Sequence, residues 1–340
     1  MKYLIVLFLI AFSIFSNAQE TYKYNDSHAI GDGQTLHLSS NDANVNIKGT
    51  NQNKASIEIY REATGNMAKK EDFRFDIEEK NGDLFVTERR KQANVNFMGY
   101  LNIKQYTIDI LLPHNVKLEL EGDDDNYNIA NIDGSIEITY EDGNVNIENS
   151  KTPSIIIKGD DGNLAISDLK GDFKTTIEDG NLTMNDCDIE NFNVRIDDGN
   201  IKLNACSTGH TDIQTEDGNI YLDVVKGDLS VTLDDGNFVA HDVASQNIDI
   251  KGYDGDISLG LHMQNNGNYK IQMDDGDVDV ELLSGGGMIK VKCDDGDVKL
   301  RSSAFEMLTD DDHYKEIKTV DNGSGKMSVK LEDGNVRLSK

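Results

Sequence analysis

The sequence predicts an all-β protein: a single-stranded, right-handed β-solenoid (β-helix) of ~19-residue coils with a more irregular N-terminal β portion. Three observations predict it. Asp-Gly corners recur at a near-constant period, the mark of a stacked or arrayed unit. Apolar residues alternate with polar ones on both sides of each corner, as in strands that bury one face. The corner itself, Asp before Gly and Asn or Asp after it, is tight-turn chemistry.

Five segments follow in chain order. Residues 1–18 read as a signal peptide, with Lys2, an apolar core from Tyr3 to Phe15, and small residues at Ser16 and Ala18 before Gln19. That core of 13 residues is shorter than the ~20 needed to span a bilayer. No later segment reaches that length and Gln19, not Cys, stands directly after the cleavage site, so an exported chain with neither a transmembrane segment nor a lipid-anchored N-terminus is expected, in the periplasm or at the cell surface. Residues 19–120 read as an N-terminal β portion or cap, 121–303 as acidic solenoid repeats, 304–326 as an insertion, and 327–340 as a final coil.

Charge separates the first part from the rest. Residues 1–120 carry 14 basic and 15 acidic side chains, whereas residues 121–340 carry 19 and 47. The whole chain has a net charge of −29. Nucleic acid is excluded as a partner, since a phosphate binder needs a basic face.

The corner glycines are at 143, 162, 180, 199, 218, 236, 255, 276, 296 and 334. Their spacings are 19, 18, 19, 19, 18, 19, 21 and 20, then 38, which is two periods. Counting from each Gly, positions −7 and −5 are usually apolar, as in Ile136 and Ile138 or Phe192 and Val194. Positions +2 and +4 are apolar too, as in Leu164 and Ile166. Position +7 is often apolar, as in Leu169, Val225, Val243 and Leu283. Position −3 completes the expected inward set. Gly at zero supplies a positive φ that β-branched residues adopt only with strain. Degenerate copies reach towards the N-terminus, at Gly122–Ile129 with Asp125 in the Gly slot, at Asn41–Ile47, and at Asn81–Val86.

Two architectures fit this pattern. Each corner could close an antiparallel hairpin, or each unit could be one coil of a parallel stack with ~4.8 Å between equivalent strands. The near-constant period favours the stack, because stacking tolerates few length changes.

Asp occupies −1 in all ten clear copies: 142, 161, 179, 198, 217, 235, 254, 275, 295 and 333. Stacking would make them a column. Neighbouring carboxylates ~4.8 Å apart repel by roughly 1 kcal/mol in water, so something must offset the column. Calcium takes six to eight oxygen ligands from carboxylates, amides and backbone carbonyls. Asp142, Asp161, Asp179, Asp198, Asp217, Asp235, Asp275 and Asp295 are therefore a candidate calcium ladder. The other readings are solvated turn chemistry and electrostatic steering of a cationic partner.

Catalytic signatures are absent from the sequence. The acids repeat identically, whereas a glycan-cleaving site needs two carboxyls in different environments. The seven His share no repeat phase and no pair has His-x-x-x-His spacing. There is no Gly-x-Ser-x-Gly elbow. Cys187 and Cys206 both fall at +7 of consecutive copies and are expected as buried stacked thiols, with Cys293 unpaired at −3.

The stretches Tyr106–Pro113 and Val116–Leu120, followed by repeated Gly-Asn-hydrophobic units, resemble the bacterial putative-adhesin family, domain-of-unknown-function proteins with β-helical repeats. The resemblance covers residues 30–340 and implies a β-solenoid and an envelope location. It carries over no catalytic residue. The Asp-Asp and Glu-Asp corners depart from relatives that place Ser or Asn there. The resulting expectation is an exported, non-catalytic envelope protein with an adhesin-like binding or structural role and an unidentified surface partner. A calcium-stabilised surface repeat protein and a glycan-processing β-helix enzyme are the alternatives.

Overall fold

The structure, a computed structural model, describes residues 19–65, 73–90, 100–321 and 323–340. The expected signal peptide lies outside these residues. Every regular element described is a β-strand, and all 29 belong to one hydrogen-bonded network. Among the described residues, no helix is long and apolar enough to cross a membrane.

Two parallel ladders run through the molecule. In one, Ile136 pairs with Ile155, Ile155 with Phe173, Phe173 with Phe192, and so on down the stack. In the other, Val145 pairs with Leu164, Leu164 with Leu182, and Leu182 with Ile201. Each corner carries the chain from the first ladder to the second. The strands on its two sides never pair antiparallel with each other, so the hairpin alternative fails.

The alternating residues of both ladders meet in one continuous apolar core. Positions −7, −5, +2 and +4 are buried in nine of the ten repeats. The exception is the repeat of Gly296, whose Val298 and Leu300 are only half-buried. Their strand, Val298–Leu300, pairs on one side alone, with Val336–Ser339. Position +7 fails in the repeats of Gly255, Gly276 and Gly296, where His262 is half-buried and Leu283 and Ser303 are exposed. Leu283 is 40% exposed, and its neighbour Leu282 fills the core instead. Val243, at +7, pairs with Leu261, at +6, and from this register shift after Ala240 strict alternation runs on through the next two repeats, bringing Leu261 and Leu282 inward.

Stack order departs from sequence order at both ends. The strand Gly325–Asp333 lies between Asn268–Asp275 and Gly287–Asp295, pairing with both. The last repeat in the chain is therefore not the last in the stack. The reason is the segment before it. Strands Phe305–Asp311 and Tyr314–Thr319 form a hairpin whose second strand runs antiparallel along Gly287–Asp295. That hairpin covers the outer edge, leaving the inner slot to the returning chain.

At the other end, Thr35–Ser40 pairs with Lys117–Gly122, and Asn44–Thr50 with Asn126–Ala130. Residues 35–50 thus form a repeat in register with the acidic array, 82 residues ahead of their partners. The charge boundary near Glu121 falls inside a strand. Beyond this repeat lie the antiparallel strands Gln19–His28, Ala55–Thr64 and Asn102–Pro113, and the hairpin Phe73–Lys80 and Asp83–Arg90. Asn81-Gly82, which resembles a corner in sequence, is instead the turn of that hairpin. Both residues take positive φ, 56° and 94°, as a two-residue hairpin of mirror-image type requires.

Cys187, Cys206 and Cys293 are buried free thiols. The Sγ atoms of Cys187 and Cys206 donate to the carbonyls of Asn185 and Asn204, each at 3.2 Å.

Candidate functional site

The repeating corner forms one continuous edge. At Gly199 φ is +153°, and an added Cβ would overlap the carbonyl oxygen of Gly180 in the repeat beside it. The same overlap recurs at Gly162, Gly180, Gly218, Gly236 and Gly255. Glycine is thus required twice over, by backbone angle and by the closeness of the next chain.

Beside the glycines runs a column of asparagines. Asn200 donates its backbone N–H and its Nδ2 to Asn181 Oδ1, both at 3.0 Å. Asn181 does the same to Asn163, Asn163 to Asn144, and Asn144 to Asn126. In the other direction Asn219 donates to Asn200 and Asn237 to Asn219. Asp256 and Asp277 continue the column through backbone N–H donation, and Asn335 closes onto Asp277. Asp277 is additionally held by Arg337 Nη2 at 2.7 Å, and its carboxyl sits below the usual range because of the Asn335 donors first.

On the other side of the glycines the Asp residues pair in register. Asp142 bridges Asp161, Asp161 pairs with Asp179, Asp179 with Asp198, Asp198 with Asp217, and Asp217 with Asp235. Asp235 is followed by Asp254, Asp275, Asp333 and then Asp295. All eight candidate residues therefore share one column, with Asp254 and Asp333 filling its two remaining places. The ladder register adds Asp42 and Asp124 at the N-terminal end, two residues before the paired Asn44 and Asn126. There the column meets Arg90, whose Nη1 lies 2.8 Å from Asp42 Oδ2 and whose Nε reaches the nearly buried carboxylate of Glu88.

The column is solvent-facing and costly. The carboxyls of Asp161, Asp198 and Asp275 are raised above the ordinary value, first by desolvation and then by the charges of their column neighbours. Asp124 is raised for the same first reason, then by a hydrogen bond to Asp42. Among the described residues, no three carboxylate, imidazole or thiolate groups converge on one point suited to a metal.

Asp125 differs from all of these. It is fully buried in a Gly slot of the pattern. Its carboxylate accepts from Ser40 Oγ at 2.7 Å, from the Ala43 N–H at 2.5 Å and from Tyr127 OH at 3.3 Å. Burial raises its pKa to about 6.

Two arrangements escaped the sequence reading. One is the asparagine column, whose donors reach the next repeat rather than the local turn. The other joins three residues from successive repeats. His262 Nδ1 lies 2.7 Å from Ser284 Oγ, and His262 Nε2 lies 3.0 Å from Asp242 Oδ1. Their separations, 20 and 22 residues, match no catalytic motif and are visible only once the repeats are stacked.

A family model, Toastrack DUF4097, matches residues 34–339 of this chain. Solved structures are similar to it at low identity. A putative adhesin from Parabacteroides merdae ATCC 43184 is 12% identical, over 95% of this chain and 96% of that one, with a TM-score of 0.36. For a putative adhesin from Parabacteroides distasonis ATCC 8503 the values are 12%, 95%, 98% and 0.35. For a putative adhesin from Bacteroides fragilis NCTC 9343 they are 12%, 94%, 97% and 0.29. No curated protein matches the chain.

Proposed function

The chain belongs to the Toastrack DUF4097 family, and from that premise we propose that it is an exported, non-catalytic, adhesin-like element of the cell envelope. Its stacked ladders are read as the coils of a single-stranded right-handed β-solenoid, and its acidic edge as a contact surface. One observation carries the reading. Each repeat devotes its corner to the same three positions: a Gly for close approach, an Asn (Asp in three repeats) on the side of the internal column, and a carboxylate left facing solvent. A core needs only the first two. Ten carboxylates in one column at a strand spacing of ~4.8 Å concentrate negative potential along a straight edge, which steers cationic partners.

A second reading is favoured by the raised Asp161, Asp198 and Asp275. Groups strained by like charge gain from a divalent cation that they share, and Asp with backbone carbonyls suits calcium. Here the eight candidate aspartates hold calcium that stabilises the stack.

Thermal unfolding of the mature chain, residues 19–340, separates the two. A rise in melting temperature with millimolar calcium, absent with magnesium and reversed by chelator, supports the calcium ladder. Equal small shifts with calcium, magnesium and sodium at matched ionic strength support a solvated edge. Fractionation of cells expressing the full chain tests export: a product beginning at Gln19 in the envelope or medium is expected, and an uncleaved cytoplasmic product overturns it.

A further inference from the structure

The outer face of the first ladder is polar over most of its length, and a stacked aromatic pair interrupts it near the N-terminal end. Phe85 and His37 occupy the same register on adjacent strands. Their rings stack face to face, 4.2 Å between centroids and 3° from parallel. Further along, this register position holds Glu119, Glu137, Ile156, Lys174 and Asn193, so the aromatic pair is a singular feature of the column.

Two depressions adjoin the pair and share Phe85 and Thr87. The larger, about 480 Å³, lies on the His37 side and is lined by Ser39, Glu119, Glu121, Glu137 and Thr139. The smaller, about 200 Å³, is lined by Asp76, Glu78, Lys80 and Arg89. The larger falls within the ~300–1,000 Å³ typical of small-ligand sites. His37 is fixed in place, since its Nδ1 lies 2.8 Å from Glu119 Oε2. Lys158 Nζ is 3.6 Å from Glu137 Oε1.

From this groove we infer a binding site for a non-acidic glycan, a chain of neutral or amino hexopyranose units. The apolar face of a pyranose ring stacks on an aromatic ring, and its hydroxyls bridge carboxylate acceptors and hydroxyl groups. The groove supplies both. The His37 ring, backed by Phe85, is the platform, Glu119, Glu121 and Glu137 are acceptors, and Ser39, Thr87 and Thr139 donate or accept. Three carboxylates against one imidazole and one ammonium leave the groove negative, so uronic and sialic acids are repelled. The inference rests on the surface-binding reading above and supplies the ligand class for it.

The test is a glycan array of neutral, amino and acidic oligosaccharides probed with the mature chain, beside the Phe85→Ala and Glu137→Gln variants. The expected result is binding confined to non-acidic glycans, weakened at least tenfold in both variants. Glu137 is exposed on the outer face, so its variant folds even if the Phe85 variant does not. Melting curves identify any variant that fails to fold. An array without a non-acidic hit overturns the inference, as does equal binding by wild type and Glu137→Gln. Fractionation separates the two levels. An envelope-located chain with a blank array leaves the surface reading standing without this ligand. A cytoplasmic chain removes the surface reading whatever the array returns.

Discussion

Asn200 donates two hydrogen bonds, from its backbone N–H and its Nδ2, to the single side-chain oxygen of Asn181 in the repeat beside it. An amide can accept on one side and donate on the other, so one residue type propagates through the stack. A carboxylate accepts but cannot donate. Asn200→Asp would lose the Nδ2 donor and set a negative charge against Asn181 Oδ1. We expect a loss of about 0.5–1.5 kcal/mol in urea unfolding at pH 7, in the range for one net hydrogen bond, since the column is exposed. Lowering the pH towards 4 should recover part of it, because a protonated carboxyl can donate again. A variant as stable as wild type at pH 7 would make the column incidental.

Gly199→Val tests the corner. The backbone there lies at φ +153°, and a side chain would run into the Gly180 carbonyl. Strain of this kind costs about 1–3 kcal/mol for the angle alone, before the overlap is counted. We expect the variant to aggregate or to melt well below wild type. Ile157→Asp, which buries an unpaired charge at a fully enclosed position, should do the same. Leu283→Ser should leave the melting temperature within error, since Leu283 faces solvent.

That last contrast shows what was legible in the sequence. Period and alternation located Ile157 and Gly199 correctly, because both signals are local and repeat many times. Leu283 misled, because +7 points inward only where the alternation breaks after +4, and from Leu261 onwards it runs on unbroken, so that Leu282 takes the inward place. The place of Gly334 in the stack was not legible either. Sequence spacing orders corners along the chain, but the hairpin Phe305–Thr319 decides which strand edge stays open for the return. The aspartate column was legible as soon as stacking was assumed. The link between Asp242, His262 and Ser284 was not, because a hydrogen bond between repeats depends on side-chain direction at a corner that changes length.

Asp125 gives a pH signature of unusual sign. Its folded pKa of about 6 lies above the ordinary 3.8, with burial as the main cause. Between these values the folded state holds a proton that the unfolded state has released. The group's contribution is therefore fullest below pH 4 and is lost as the pH climbs through about 6. Two units correspond to about 3 kcal/mol. The raised Asp161, Asp198 and Asp275 act in the same direction. Urea unfolding from pH 7 down to pH 5 should show stability rising, the reverse of ordinary acid denaturation. Asp125→Asn should flatten that slope. A slope identical in wild type and variant would place the pH dependence elsewhere.

Ser284, His262 and Asp242 have the composition of a nucleophilic triad, and their geometry argues that they do not act as one. His262 is one-third exposed and Asp242 about half exposed, so water screens the carboxylate that would hold an imidazolium. Acyl transfer also needs preorganised donors where the oxyanion forms. Of the glycines that follow Ser284, Gly287 has its N–H engaged elsewhere. The Gly287 N–H donates to Thr319 Oγ1 at 2.9 Å, Gly285 lies in the ladder opposite Met263, and its carbonyl accepts from Lys340 Nζ at 2.7 Å. The three side chains read instead as a polar pin across successive repeats. Treatment with a fluorophosphonate probe, followed by intact-mass measurement, should leave residues 19–340 unmodified, like the Ser284→Ala variant. An adduct that maps to Ser284 would overturn the non-catalytic reading. His262→Ala separates the structural role from the chemical one, since a pin predicts a lower melting temperature with no change in reactivity towards the probe.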